Sequence, residues 1–180
     1  MIYSPVAGRY ARALLDVAID LKKEEEYKKL LSIVVEVYRS LKIYLDDPTL
    51  SSERKFSILI DTLERLGVEL DRPFENFLKI VLEKKRQKHL PAILKLYEDL
   101  EIESKGKIPA ALIAPYDLSD EEIDLLKRFV KKHALREPVF RFTKDESLIA
   151  GVKLEFEGLT YDISVKGRLE RIYREVFKEG

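Results

Sequence analysis

The chain has 180 residues, and its composition of 46% apolar and 37% charged residues is typical of a globular protein with a buried core. The 33 basic side chains equal the 33 acidic ones in number, so the net formal charge is zero. Without an overall positive field to attract a polyanion, we expect no nucleic-acid partner. The lack of cysteine excludes disulfides, thiolate nucleophiles and zinc–thiolate sites.

The first hundred residues repeat apolar side chains at helical spacing. Pro5 fits the first turn of an opening helix, and Gly67 gives a later helix a left-handed stop. Ser51 or Ser52, and further on Asp71, are residue types that cap helix amino termini. The pattern predicts an antiparallel bundle of five or six helices.

Beyond Gly106 the apolar period changes from helical to strand-like, which predicts two domains, residues 1–106 and 107–180. Ser119 and Glu122 form a capping box for a helix of the second domain. The predicted strands cover 108–114 and 138–142, and a hairpin pairs 152–156 with 161–165. A closing amphipathic helix is predicted from Leu169, Ile172, Tyr173, Val176 and Phe177. The expected fold is α+β, a helical bundle followed by a small mixed α/β domain.

Residues with catalytic or ligand-binding chemistry are sparse. No two of the seven glycines are closer than seven residues, so a glycine-rich phosphate loop is excluded. The two histidines, His89 and His133, fall near helix ends and lack a metal-binding spacing. The acidic run 120–124 lies in the first turn of a predicted helix, where it complements the dipole. We expect no cofactor, no metal site and no catalysis.

Two helices carry more apolar surface than one core-facing stripe requires. The first has one stripe of Val6, Tyr10, Leu14, Val17 and Leu21, and a neighbouring stripe of Ala7, Ala11, Leu15, Ala18 and Ile19. The other helix covers residues 74–82. Side by side, the two would form a groove for an amphipathic partner helix. The pattern fits equally well if both helices are simply the buried centre of the bundle.

Short motifs along the chain resemble one family. They are GRYARAL at 8–14, DP at 47–48 before KF at 55–56, FENFL at 74–78, KR at 85–86, and near the end DESLIAG at 145–151 and DISVKGRL at 162–169. Together they resemble the delta subunit of F-type ATP synthase, the family of the mitochondrial oligomycin-sensitivity-conferring protein. Ala150 departs from the glycine common there, and alanine tolerates positive φ poorly, so the backbone at this strand entry is expected to differ.

The resemblance implies a non-catalytic subunit of the peripheral stalk, which links the catalytic head to the stalk so that the head resists rotor torque during proton-driven ATP synthesis. It implies that the bundle docks the amino-terminal helix of an alpha subunit and that the second domain meets the b subunits. Combined with the over-apolar helices, it predicts a head-binding groove lined by Tyr10, Ala11, Leu14, Phe77, Leu78 and Val81.

The main alternative is a generic helical adaptor for an amphipathic partner helix. An enzyme ranks third, because it would need a pocket with perturbed titratable groups. No stretch approaches the roughly 18 apolar residues of a membrane-spanning helix, so direct membrane insertion is not expected. The opening residues lack a signal or transit pattern, which favours a bacterial protein over a mitochondrial precursor. The resemblance then implies a peripheral location at the cytoplasmic face of the plasma membrane, as part of the ATP synthase complex.

Overall fold

The computed structural model describes residues 4–167 and residue 169. The chain divides into two compact units, Ile2–Glu101 and Ile102–Gly180. The first unit is helical and the second contains a mixed sheet, so the predicted α+β class is confirmed. Each unit is described by itself.

The amino-terminal unit is a bundle whose helix ends follow the predicted caps. Its helices are α1 (Pro5–Leu21), α2 (Glu24–Ser40), the single turn α3 (Lys42–Leu45), α4 (Ser52–Arg65), α5 (Arg72–Glu83) and α6 (Leu90–Ser104). The Ser51 hydroxyl accepts a hydrogen bond from the backbone N of Arg54 at the start of α4. Gly67, with φ +72°, follows the end of α4. The sequence therefore fixes these boundaries through ordinary capping chemistry.

The bundle core forms around close helix contacts and buried aromatic rings. Ala7, Ala11 and Ala18 of α1 are fully buried, and their small side chains let neighbouring helices approach closely. Tyr27 of α2 and Phe74 of α5 pack edge to face, with ring centroids 5.1 Å apart. One complete face of α1 is therefore buried in the core.

Asp71 joins the start of α2 to the start of α5 at one end of the bundle. Its carboxylate caps α5 by accepting from the backbone N of Phe74 at 3.0 Å. It also accepts from the Tyr27 hydroxyl at 2.9 Å and pairs with Lys23 at 3.0 Å. Burial disfavours its ionised form, but the hydrogen bonds from Phe74, Lys23 and Tyr27 outweigh burial and lower the pKa of Asp71. The ionised carboxylate therefore stabilises the folded bundle.

The carboxyl-terminal unit is a four-stranded mixed sheet with a helix packed on it. Its elements are β1 (Ile108–Ala114), α7 (Asp120–Ala134), β2 (Pro138–Lys144), β3 (Lys153–Phe156) and β4 (Leu159–Asp162). The strand order is β2-β1-β3-β4, with β1 parallel to β2 and antiparallel to β3. The predicted capping box of Ser119 and Glu122 opens α7. Ile108, Ala110 and Leu112 of β1 pack with Val130 of α7 in the core.

The predicted second hairpin strand, 161–165, is displaced towards the carboxyl terminus, because β4 begins at Leu159 and ends at Asp162. The Asp162 carboxylate accepts from the Ser164 backbone N at 2.9 Å and from its hydroxyl at 2.6 Å. These local hydrogen bonds take the place of hydrogen bonds between strands, and residues 165–167 are helical. Ile163 and Val165, which the apolar alternation of the predicted strand places on one face with Tyr161, are consequently exposed. Leu169 is helical and exposed, whereas Ile172, Tyr173, Val176 and Phe177 lie outside the described residues.

The two carboxyl-terminal motifs, 145–151 and 162–169, interlock through their backbones. Val165 N donates to Ala150 O at 2.9 Å, and Ile163 N donates to Val152 O at 2.9 Å. Gly151 has φ +82°, and a Cβ there would lie 2.5 Å from Ile163 O. Ile149 takes the positive φ, +67°, while Ala150 does not. Alanine at 150 is therefore compatible with this backbone, and the expected strain falls on its neighbour.

We expect Asp71→Asn to lower the free energy of unfolding by about 1–2 kcal/mol at pH 7. Because folding lowers the pKa of Asp71, its contribution is full above the ordinary carboxyl range and is lost as pH falls below that range. The difference between the two proteins should therefore shrink towards zero in acid. Urea titrations between pH 7 and 3 measure it, with Asp16→Asn on the exposed face of α1 as control. An unchanged difference at pH 3 would contradict the assignment.

We expect Gly151→Ala to destabilise the carboxyl-terminal unit more than Gly158→Ala does. Both glycines have φ near +80°, at +82° and +76°, but a Cβ at Gly158 meets nothing within 4 Å. The control thus carries only the conformational cost, about 1 kcal/mol, whereas Gly151→Ala adds a clash with backbone. Hydrogen–deuterium exchange of peptides covering 145–169 reports the difference. Equal exchange in the two variants would show that the close approach is unimportant.

Candidate partner-binding surface

One apolar stripe of α1 remains outside the bundle core. Its members are Val6, Tyr10, Ala13, Val17 and Leu21, which recur every three or four residues. Val6 and Tyr10 are partly buried, and the other three are exposed. Their spacing matches the helical repeat, so they form one ridge along the whole of α1.

Helix α5 lies beside this ridge and runs antiparallel to α1. The antiparallel direction follows from two contacts, Ser4 with His89 at one end and Lys23 with Asp71 at the other. The rings of Tyr10 and Phe77 meet edge to face, with centroids 6.3 Å apart. Ile80, 47% exposed, stands next to them on α5.

Between the two helices lies an open groove of about 410 Å³, here called the α1/α5 groove. It is lined by Val6, Arg9, Tyr10, Ala13, Ile80, Lys84 and Arg86. The apolar floor is thus bordered by cations. A shallow channel between two helices suits an amphipathic helix better than a compact small molecule.

The residues predicted to line the groove divide into two sets. Tyr10 lines the α1/α5 groove and Phe77 packs against its ring, and both are partly buried. Ala11, Leu14, Leu78 and Val81 are instead buried beneath the chain's own side chains. These four side chains are covered in this conformation, and the exposed apolar stripe of α1 lies beside the predicted one. Two adjacent apolar stripes look alike in sequence, and the charged residues at helical spacing from Ala13, namely Arg9, Asp16 and Asp20, indicate that its stripe borders the polar face.

The two histidines contact neighbouring protein groups, and the acidic run lies at the start of a helix. His89 lies 3.4 Å from the Ser4 hydroxyl, and His133 stacks on Phe129 while its Nδ1 lies 2.8 Å from the Phe129 carbonyl oxygen. Asp120, Glu121 and Glu122 occupy the first turn of α7. Within the described part of the chain, no three His, Asp or Glu side chains come together as a metal site. Nor does any described helix combine the length and apolarity needed to cross a membrane.

The carboxyl-terminal unit exposes apolar side chains where its two motifs meet. Ile149, Ile163 and Val165 are exposed on adjacent backbone segments, and we call them the motif patch. Ile163 is 50% exposed although its backbone N is bonded to Val152. Lys166 reaches across to Ser147 at 3.3 Å, which ties the two segments beside the patch.

Comparison with known proteins identifies the family. Residues 6–176 match the family described as ATP synthase delta (OSCP) subunit. A protein of Pseudothermotoga lettingae named ATP synthase subunit delta is 47% identical over 178 residues, covering 99% of this chain and 98% of the relative. The protein of that name from Thermotoga maritima is 48% identical over 180 residues, covering 100% of this chain and 98% of the relative.

A solved structure shows the same fold at low sequence identity. A chain of the Toxoplasma gondii mitochondrial ATP synthase hexamer, determined by cryo-electron microscopy, superimposes with a TM-score of 0.67 at 18% identity. The match covers 96% of this chain and 98% of that one. The protein described here therefore belongs to the ATP synthase delta (OSCP) subunit family, whose members are components of the peripheral stalk of ATP synthase.

Proposed function

We propose that this chain is a non-catalytic linker that joins the alpha subunits of the catalytic head to the b subunits of the stalk. The amino-terminal unit docks the amino-terminal helix of an alpha subunit, and the carboxyl-terminal unit binds the b subunits. The protein is then held peripherally at the cytoplasmic face of a bacterial plasma membrane, as part of the complex. Family membership and the exposed α1/α5 groove support this function.

The length of the apolar ridge on α1 supports the first half of the proposal. The ridge from Val6 to Leu21 covers nearly all of α1, a helix of 17 residues. At 1.5 Å per residue this ridge is about 22 Å long, the length of a four-turn helix. A partner helix laid along it would bury Ala13, Val17 and Ile80, which are now exposed to water.

The apolar character of the groove fits a mechanical role. A linker that resists torque needs interfaces that dissociate slowly, and most differences in affinity between related complexes lie in the dissociation rate. Burial of apolar side chains at the centre of an interface supplies that affinity, with polar groups at the rim. The α1/α5 groove has this arrangement, with Tyr10 and Ile80 inside and Arg9 at the border.

A generic adaptor with an unrelated partner would use the same groove. It would not require the two motifs of the carboxyl-terminal unit, which the family match includes. Co-purification of the tagged chain with the alpha and b subunits from its own cells distinguishes the two. Recovery of another helical protein in place of these subunits would favour the adaptor.

We expect Ala13→Asp and Ile80→Asp each to weaken binding of a synthetic alpha-subunit amino-terminal peptide at least tenfold, because a buried carboxylate would lack a partner. Both side chains are exposed in the free protein, so the fold should survive. Titration calorimetry measures the affinity, and the wild type should show a negative heat-capacity change. Ala11→Asp is unsuitable, since Ala11 is fully buried and the change would unfold the bundle.

Ile43→Asp is the matched control for this experiment. Ile43 lies on α3 in the same unit and is 84% exposed, but it does not line the α1/α5 groove. Its affinity for the peptide should equal that of the wild type. If Ala13→Asp and Ile80→Asp also bind like the wild type while remaining folded, the groove is not the docking site.

The motif patch is our candidate for the contact with the b subunits. We expect Ile163→Glu to reduce the affinity for a soluble b-subunit dimer at least tenfold, with unchanged binding of the alpha peptide. The reason is that the patch offers exposed apolar side chains held on a rigid backbone. Leu125→Glu, at an exposed position on α7, is the control. Sedimentation of the mixed proteins measures both, and a loss of binding only in Leu125→Glu would place the contact on α7.

A further inference from the structure

Three cations line the α1/α5 groove, which lies near the start of α1 and the end of α5. Arg9 comes from the start of α1, and Lys84 and Arg86 follow the end of α5. The antiparallel packing of the two helices brings these positions to the same end. No Asp or Glu belongs to the described lining of the groove. This end therefore has a local positive charge although the whole chain is neutral.

Within the described structure these three cations have no carboxylate partner. Among residues 4–167 and 169, none of the three forms an ion pair with a carboxylate. Two other lysines of the bundle are paired: Lys23 with Glu26 and Asp71, and Lys28 with Glu25 and Glu101. Unpaired cations at the border of an apolar channel are complementary to anionic groups on whatever fills that channel.

The charge along α1 also changes sign. Arg9, Asp16 and Asp20 are spaced by seven and four residues, which places them on one side of the helix. All three are exposed and border the apolar ridge. The border is therefore positive near the start of α1 and negative near its end. A helix laid along the whole ridge would meet different charges at its two ends.

We propose that the α1/α5 groove accepts its partner helix in one direction only, with acidic side chains of that helix against Arg9, Lys84 and Arg86. This inference rests on the proposed function and specifies the chemistry of its partner. The apolar ridge contributes affinity in either direction, because its residues are similar along its length. The charges penalise the reversed helix by placing its acids beside Asp16 and Asp20.

Alpha-subunit peptides of about 20 residues, long enough to cover the ridge, test the inference. One peptide is native, one has its Asp and Glu neutralised to Asn and Gln in the first half, and one in the second half. At about 50 mM salt, neutralising one half should lower the affinity for the wild-type protein roughly 5- to 10-fold, and neutralising the other half should have little effect. At about 500 mM salt the difference should fall below about twofold.

Arg9→Glu provides the complementary change in the protein. An acidic residue near the start of a helix is compatible with its dipole, so α1 should remain folded. This variant should lose about as much affinity for the native peptide as neutralisation does, and a peptide with Lys in place of the acids of the sensitive half should restore binding. Lys29→Glu, an exposed charge reversal on α2, controls for net charge.

The possible outcomes separate this inference from the proposed function. Native peptide that fails to bind the wild-type protein rejects the docking function, and the inference with it. Native peptide that binds, but with equal sensitivity in both halves or with Lys29→Glu as harmful as Arg9→Glu, rejects only the directional pairing. Sensitivity confined to one half, lost in Arg9→Glu and restored by the Lys peptide, supports it.

Discussion

The burial of one alanine-rich face of α1 is the constraint from which the rest of the bundle surface follows. Ala7, Ala11 and Ala18 have no exposed surface, so the helices around them pack close to the α1 backbone. A helix has a fixed angular repeat, and once this face is turned inwards the stripe of Val6, Tyr10 and Ala13 must point outwards beside α5. The groove is thus a consequence of how the core is packed, and no additional structural element is required to form it.

The sequence predicted the helices, their caps and the change to a sheet because each rests on local chemistry. Ser51, Asp71 and the Ser119–Glu122 pair bond to backbone groups only a few residues away. The choice between Ala11 and Ala13 as surface residue could not be predicted in this way, since it depends on which neighbours α1 meets across the bundle. Ile163 was misplaced for a related reason, because two hydrogen bonds from Ser164 to Asp162 end a strand that its apolar alternation would have continued.

The residues of the two carboxyl-terminal motifs stabilise the local backbone conformation. The Asp162 carboxylate accepts a hydrogen bond from the Ser164 hydroxyl, which itself accepts one from Gly167 N at 3.0 Å. A Cβ at Gly167 would lie 2.6 Å from the Asp162 carboxyl group. A Cβ at Gly151 would likewise lie 2.5 Å from Ile163 O in the same segment. The residues that make the motif recognisable are therefore those that fix a tight connection. The side chains it leaves exposed, Ile149 and Ile163, are the ones free to contact another protein.

Apolar and charged groups have different tasks in the α1/α5 groove. A flexible cation at an exposed border adds little free energy, typically below about 1 kcal/mol per pair, because water and salt screen it. Tyr10, Ala13 and Ile80 can supply far more through burial, but their contacts distinguish poorly between a helix and its reverse. A link under torque must transmit force through one fixed geometry, and a small energetic difference between two directions is enough to select it. In the docking that we propose, the ridge supplies the affinity and Arg9, Lys84 and Arg86 select the direction, which together meet that requirement.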